Sequence, residues 1–178
     1  TDGDCIPRRD FVSSHLRLRE PGRFLSGGYF KLPMSISKAI SADDIAAGRC
    51  FELAWLRSKG LPWAARNVKL ADCLDLVVTA RASWNGHNAS GWKQDLVAAN
   101  GFDERMGYGG EDRELGERLE HAGITGKRIR HRAIVVHLDH PRGYVRQDII
   151  AKNEAIRAQT RAQRLVRTPH GIQEHGSE

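Results

Sequence analysis

The hexapeptide Gly-Tyr-Gly-Gly-Glu-Asp at 107–112 constrains this chain more than any other segment. Three glycines in four residues admit positive φ and let a ligand or another backbone come close. A helix must follow, because Leu115, Leu119 and Ala122 recur at helical spacing while Glu114, Glu117, Arg118 and Glu120 point elsewhere, and Gly123 supplies the stop. Glu111 and Asp112 therefore sit at the positive end of a helix dipole, where negative charge is favoured. Carboxylates so placed can accept a proton or a sugar hydroxyl. The same pattern also fits a glycine turn whose acids cap an ordinary helix.

The rest of the chain alternates strand-like and helix-like stretches. The spacing predicts a helix over 8–19, a Pro-Gly turn at 21–22, and a strand over 24–32 interrupted by Gly27-Gly28, glycines expected where backbone passes close to a donor molecule. Ser41 with Asp43 and Asp44 opens a short helix that ends at Gly48, and an amphipathic helix from Phe51 through Leu56 stops at Gly60-Leu61-Pro62. Residues 74–80 read as a strand, 84–91 as a loop, 92–100 as a helix closed by Gly101, and 133–136 as a strand. A polar helix begins near Tyr144 or Val145 and carries Lys152, Arg157, Arg161, Arg164 and Arg167. The order implies an α/β fold.

Composition sets limits. At 178 residues and 40% hydrophobic content the chain can bury one sizeable core. No apolar run reaches the ~18 residues of a membrane span, and no signal peptide is visible. Cys5, Cys50 and Cys73 are odd in number and widely spaced, which argues against a disulfide framework and makes a reducing, cytoplasmic location the default. Asn88-Ala89-Ser90 fits a glycosylation sequon and, without a secretory signal, reads as part of a loop. The net charge of +6 does not choose among nucleotide phosphates, an anionic membrane surface and nucleic acid. Basic and aromatic residues are not interleaved as in a single-strand binding platform, so nucleic acid is not an expected partner. The basic C-terminal helix is either a solvated face or a peripheral contact with the anionic inner face of a membrane.

Two further clusters carry chemistry. Asp2 and Asp4 in Thr1-Asp2-Gly3-Asp4-Cys5 offer hard oxygens one residue apart, and His137 and His140 in His-Leu-Asp-His-Pro follow the strand at 133–136. Either cluster alone is common. Together with Asn-Gly-Phe-Asp-Glu at 100–104 and Gly-Tyr-Gly-Gly-Glu-Asp at 107–112, the chain resembles inverting glycosyltransferases of family 2 and the related β-1,4-galactosyltransferases. Tyr108 stands where that family more often has Trp, which keeps an aromatic wall for a sugar ring.

The resemblance implies a GT-A type nucleotide-diphospho-sugar transferase fold, covered only in its second half, because family members carry roughly a hundred residues ahead of the Asp-x-Asp element. It divides the chain into a catalytic, acceptor-side part at 1–143 and a basic helix and tail at 144–178. It implies a UDP-linked sugar donor, a saccharide acceptor and a role in polysaccharide biosynthesis. Mn2+ or Mg2+ would be held by Asp4 and His140, with His137 as a further ligand, and Asp2 would meet the ribose. Asp112, or alternatively Glu111, would serve as the base, and Tyr108, Gly109, Gly110, Asn88, Ser90 and Trp92 would line the sugar pocket. Two other classes stay open: a metal-dependent phosphohydrolase using the same ligands, and a non-catalytic carbohydrate-binding fragment of a larger transferase.

Overall fold

The computed structural model describes residues 1–64 and 82–172. The strand expected at 74–80, and Cys73, lie outside those residues. The elements run β1 (Cys5–Pro7), α1 (Phe11–Leu18), β2 (Arg23–Gly27), β3 (Tyr29–Lys31), α2 (Met34–Ala39), α3 (Ala42–Ala47), a 3-10 turn at Arg49–Phe51 and α4 (Leu53–Ser58). After the gap come β4 (Ala89–Ser90), α5 (Lys93–Ala98), α6 (Glu111–His121), β5 (Thr125–Ile129), β6 (Val135–His137) and α7 (Gln147–Ala162). This is a mixed α/β fold with small sheets, consistent with part of a nucleotide-sugar transferase domain.

Local chemistry explains several boundaries. The Ser41 hydroxyl accepts from the Asp44 amide while the Asp44 carboxylate accepts from the Ser41 amide, a capping box that starts α3, and Gly48 at φ 74° ends it. Helix α1 begins three residues later than the apolar pattern predicts, because Arg8 folds onto Asp10 at 2.6 Å in the preceding turn. The helix expected over 92–100 forms as α5 and is closed by Asn100 (φ 64°) and Gly101 (φ 69°).

The stretch expected as one interrupted strand belongs to two sheets. β2 lies between β4 and β5, parallel to β5, whereas β3 pairs with β6, which also holds β1 antiparallel. The chain changes sheet at Gly28 and again between β5 and β6. A Cβ on Gly27 would lie 2.1 Å from the Asn88 side chain, and one on Gly28 would lie 2.3 Å from the Arg130 carbonyl. The expectation that these glycines admit a donor molecule is corrected: what passes close is the protein's own Asn88 and Arg130.

Three apolar clusters support the sheets. Phe30, Leu32, Leu56 and Val136 pack beneath the first; Phe24, Trp84, Leu115 and Leu119 fasten α6 to the second; Leu25, Ile129 and Ala133 face Phe11 and Leu18 of α1. Arg118, fully buried in α6, donates to Glu114 of its own helix and to the Ala99 and Gly101 carbonyls, and Thr160 of α7 donates to Glu114 at 2.8 Å. That network ties α6 to the turn after α5 and to the C-terminal helix.

Candidate functional site

A cleft of about 630 Å3 opens where the ends of β1 and β6 meet the start of α6. Its position follows from strand register. Cys5 pairs with His137 across the antiparallel β1–β6 ladder, and the Leu138 amide donates to the Asp4 carbonyl at 3.0 Å, so the residue before β1 and those after β6 share one edge. There Asp4 Oδ2 lies 3.0 Å from His140 Nε2 and 3.4 Å from His137 Nε2. The two imidazoles are nearly parallel, 9° apart with centroids at 6.3 Å.

Hydrogen bonding fixes what these groups present. His137 Nδ1–H donates to the Leu138 carbonyl at 2.7 Å, and His140 Nδ1–H donates to the Pro141 carbonyl at 3.0 Å. With Nδ1 as donor, each ring turns Nε2 toward the Asp4 carboxylate, as a lone pair when the ring is neutral and as an N–H donor when it is protonated. Asp4 is thus the group that both imidazoles approach, and a proton or a cation satisfies its carboxylate there. Backbone carbonyls that orient the ligating imidazoles are the usual outer support of a metal site. The donor set thus fits a divalent ion such as Mn2+.

Cys5 also stands within reach: its Sγ, an Asp4 oxygen and a His137 nitrogen all lie within 4.8 Å of one another. Burial, and then the charges of Asp4 and Asp2, push the Cys5 thiol up to about 12. His140, the nearer of the two imidazoles to Asp4, stands outside that group of three.

The opposite wall is the glycine loop and first turn of α6. Gly109 (φ 111°) and Gly110 (φ 90°) occupy positive φ, which glycine alone adopts without strain. Glu111 accepts the Gly109 amide at 2.7 Å, while Asp112 accepts the Gly86 amide at 3.1 Å and the Arg113 amide at 2.7 Å. Both carboxylates line the cleft, as do Asp2, Tyr108, Gly109 and Gly110. The structure therefore brings together Asp2, Asp4, Tyr108, Gly109, Gly110, Glu111, Asp112, His137 and His140.

Asn88, Ser90 and Trp92 are placed elsewhere, a correction to the expectation that they line this pocket. Asn88 is fully buried at the break between the sheets, where its amide donates to the Gly28 and Ala133 carbonyls. Asn88 Oδ1 accepts from His15 Nε2–H at 3.0 Å, and the Ser90 hydroxyl meets His15 Nδ1 at 2.7 Å. Burial holds His15 below the usual histidine range, so it is the neutral tautomer that spans the pair. Trp92 donates to the Glu20 carbonyl and lies under Arg19, and with Ser90 it borders a separate apolar groove beside α1.

Among the cleft residues that the sequence reading missed are Tyr29, Lys31, His87, Arg142 and Tyr144. Tyr108 and Tyr144 form an edge-to-face corner with centroids 4.8 Å apart, and Tyr144 also stacks on His140 at 6.0 Å. Tyr29 meets His87 edge-on at 4.4 Å, and burial lowers the His87 pKa despite the nearby Asp2 charge. Tyr144 had a legible signal, an exposed aromatic just beyond the histidine pair. His87 had none that separates it from the chain's other histidines.

Carboxylates at a glycine turn thus face a carboxylate and histidine cluster across an aromatic-lined cleft. A family model described as the N-terminal domain of galactosyltransferase matches residues 82–141, about a third of the chain. That match supports glycosyl transfer in general, and with it a nucleotide-sugar donor and a saccharide acceptor. No curated protein sequence matches the chain.

Proposed function

We propose that this chain is the metal-bearing, acceptor-side part of an inverting glycosyltransferase of the family 2 type, which moves a sugar from a UDP-linked donor to a saccharide hydroxyl. The observation that carries the reading is the pairing, across one cleft, of the Asp4, His137 and His140 electron-pair donors with the Glu111 and Asp112 carboxylates. Asp4, His137 and His140 would hold a Mn2+ or Mg2+ ion, which supplies charge neutralisation to the departing diphosphate.

The protein's own groups do the rest. Asp112 takes the proton of the acceptor hydroxyl as that oxygen forms its bond to the anomeric carbon, and the bond from that carbon to the diphosphate oxygen breaks on the opposite face. Glu111, held by the Gly109 amide, orients the acceptor and is the alternative base. The Tyr108–Tyr144 corner packs against a sugar ring. Asp2 accepts from the ribose, and the bare backbone of Gly109 and Gly110 admits the acceptor closely.

In this reading residues 1–143 carry the site and 144–178 form the C-terminal helix and tail of a cytoplasmic enzyme of polysaccharide biosynthesis, peripheral to the membrane. No helix among the described residues is long and apolar enough to cross a membrane. Arg157 and Arg161 are paired with Glu117, Lys152 donates to the Arg105 carbonyl, and Arg167 donates to the Val97 and Ala98 carbonyls, so most of these basic side chains also serve the fold.

The test is a panel of UDP-sugars and saccharide acceptors with Mn2+, scored by UDP release and by the anomeric configuration of the product. Acceptor-dependent release with inversion supports the proposal, and Asp112→Asn should abolish it while sparing nucleotide binding. UDP or phosphate release that ignores the acceptor would instead identify a phosphohydrolase.

A further inference from the structure

We infer that Asn153 of α7 is a positioning residue for the acceptor loop, holding Gly-Tyr-Gly-Gly at 107–110 in the shape that presents Tyr108, Glu111 and Asp112. The inference rests on the transferase reading above for its catalytic consequence, though its geometry does not.

Asn153 is fully buried, and its side-chain amide donates to three successive carbonyls: Gly107 at 3.0 Å, Tyr108 at 3.3 Å and Gly109 at 2.9 Å. Three acceptors around one terminal atom identify that atom as the nitrogen, since an amide oxygen there would face only like charge. Its Oδ1 is buried with no hydrogen-bond partner among the described residues. A side chain so placed is explained by what its nitrogen does.

Drawing three consecutive carbonyls to one point curls the chain away from extended backbone. The curl emerges as the positive φ of Gly109 and Gly110, and it turns the Gly109 amide toward the Glu111 carboxylate. The glycines themselves are shaped by α7. A Cβ on Gly107 would lie 2.9 Å from Ile149, one on Gly109 3.5 Å from Ile150, and one on Gly110 3.2 Å from Arg157. Positions 149, 153 and 157 fall at i, i+4 and i+8, one stripe of the helix. The loop's glycines therefore serve contact with α7 on one side while the other side lines the cleft.

Asparagine is specific to this task. Aspartate has the same shape but would aim oxygens at three carbonyls, and serine reaches fewer of them with one donor. The α7 helix is thereby a template for the acceptor loop.

The experiment compares Asn153→Asp and the milder Asn153→Ser with the parent chain. Hydrogen exchange of peptides spanning 107–112 should quicken about tenfold while peptides over 125–137 keep the parent rate. Transfer kcat/KM should fall by roughly ten- to a hundredfold, the scale of a small misplacement of reacting groups. Mn2+ and UDP affinity should stay within about twofold, because those ligands belong to the opposite wall. Unchanged exchange at 107–112, or equal loosening of 125–137, would overturn the inference. If the parent chain transfers no sugar, the transferase reading falls and the exchange measurement still decides the role of Asn153.

Discussion

Replacing Arg118 with methionine should cost about 3–5 kcal/mol, because it leaves a carboxylate buried without its partner. Arg118 and Glu114 have side chains 0% and 1% exposed, and the guanidinium reaches Glu114 at 2.8–3.0 Å. It also donates to the Ala99 carbonyl and, at 2.7 Å, to the Gly101 carbonyl. A chain of this kind is stable by about 5–15 kcal/mol, so the single change removes a large part of the total. Removing both charges in Glu114→Leu/Arg118→Met takes away the stranded ion but leaves the Gly101 carbonyl and the Thr160 hydroxyl without these partners, and should leave a deficit of roughly 2 kcal/mol. Urea unfolding at neutral pH, followed by circular dichroism, measures both. A loss below about 1 kcal/mol in the single variant, or a double variant no better than the single, would refute the reasoning that unpaired burial governs here.

Asp103, 2% exposed, is opposed by burial but held below the usual carboxylate range by hydrogen bonds from Arg105 and Thr168. A depressed pKa stabilises the fold above the ordinary value and loses that contribution as pH falls through the folded one. Asp103→Asn should therefore be less stable than the parent at pH 7, with the gap closing below about pH 4; a gap constant across that range in thermal melts would contradict the assignment. Asn88→Leu should cost about 2–4 kcal/mol by stranding the Ala133 carbonyl and the His15 ring nitrogen, and should reduce acceptor binding only in proportion to unfolding. A selective loss of acceptor affinity in a folded Asn88→Leu protein would return Asn88 to the site.

Much of the site was legible because its chemistry is local. The turn from Gly107 to Gly110, the helix behind it and the capping box at Ser41 each depend on residues within one or two turns, where propensity and spacing speak directly. The convergence of Asp4 with His137 and His140 could be read only through resemblance, since its physical cause is an antiparallel pairing of segments 132 positions apart. What stayed hidden has the same origin. Period-two patterning marks a strand but not its partner, so nothing at Gly27-Gly28 announces a change of sheet. Asn88 looked like a ligand because buried asparagines that span a sheet break and exposed ones that meet a sugar are the same letter. Asn153, set in a helix of unremarkable polarity, acts on carbonyls 44–46 residues away.

If Asp4, His137 and His140 hold a divalent ion that serves the diphosphate of a donor, UDP binding must depend on that ion. Calorimetric titration of UDP into the chain, with and without Mn2+, beside Asp4→Ala and His140→Ala, tests it most directly. Mn2+-dependent UDP binding in the parent, lost in both variants, is the expected result; binding indifferent to Mn2+, or unchanged by either substitution, would rule this ion site out.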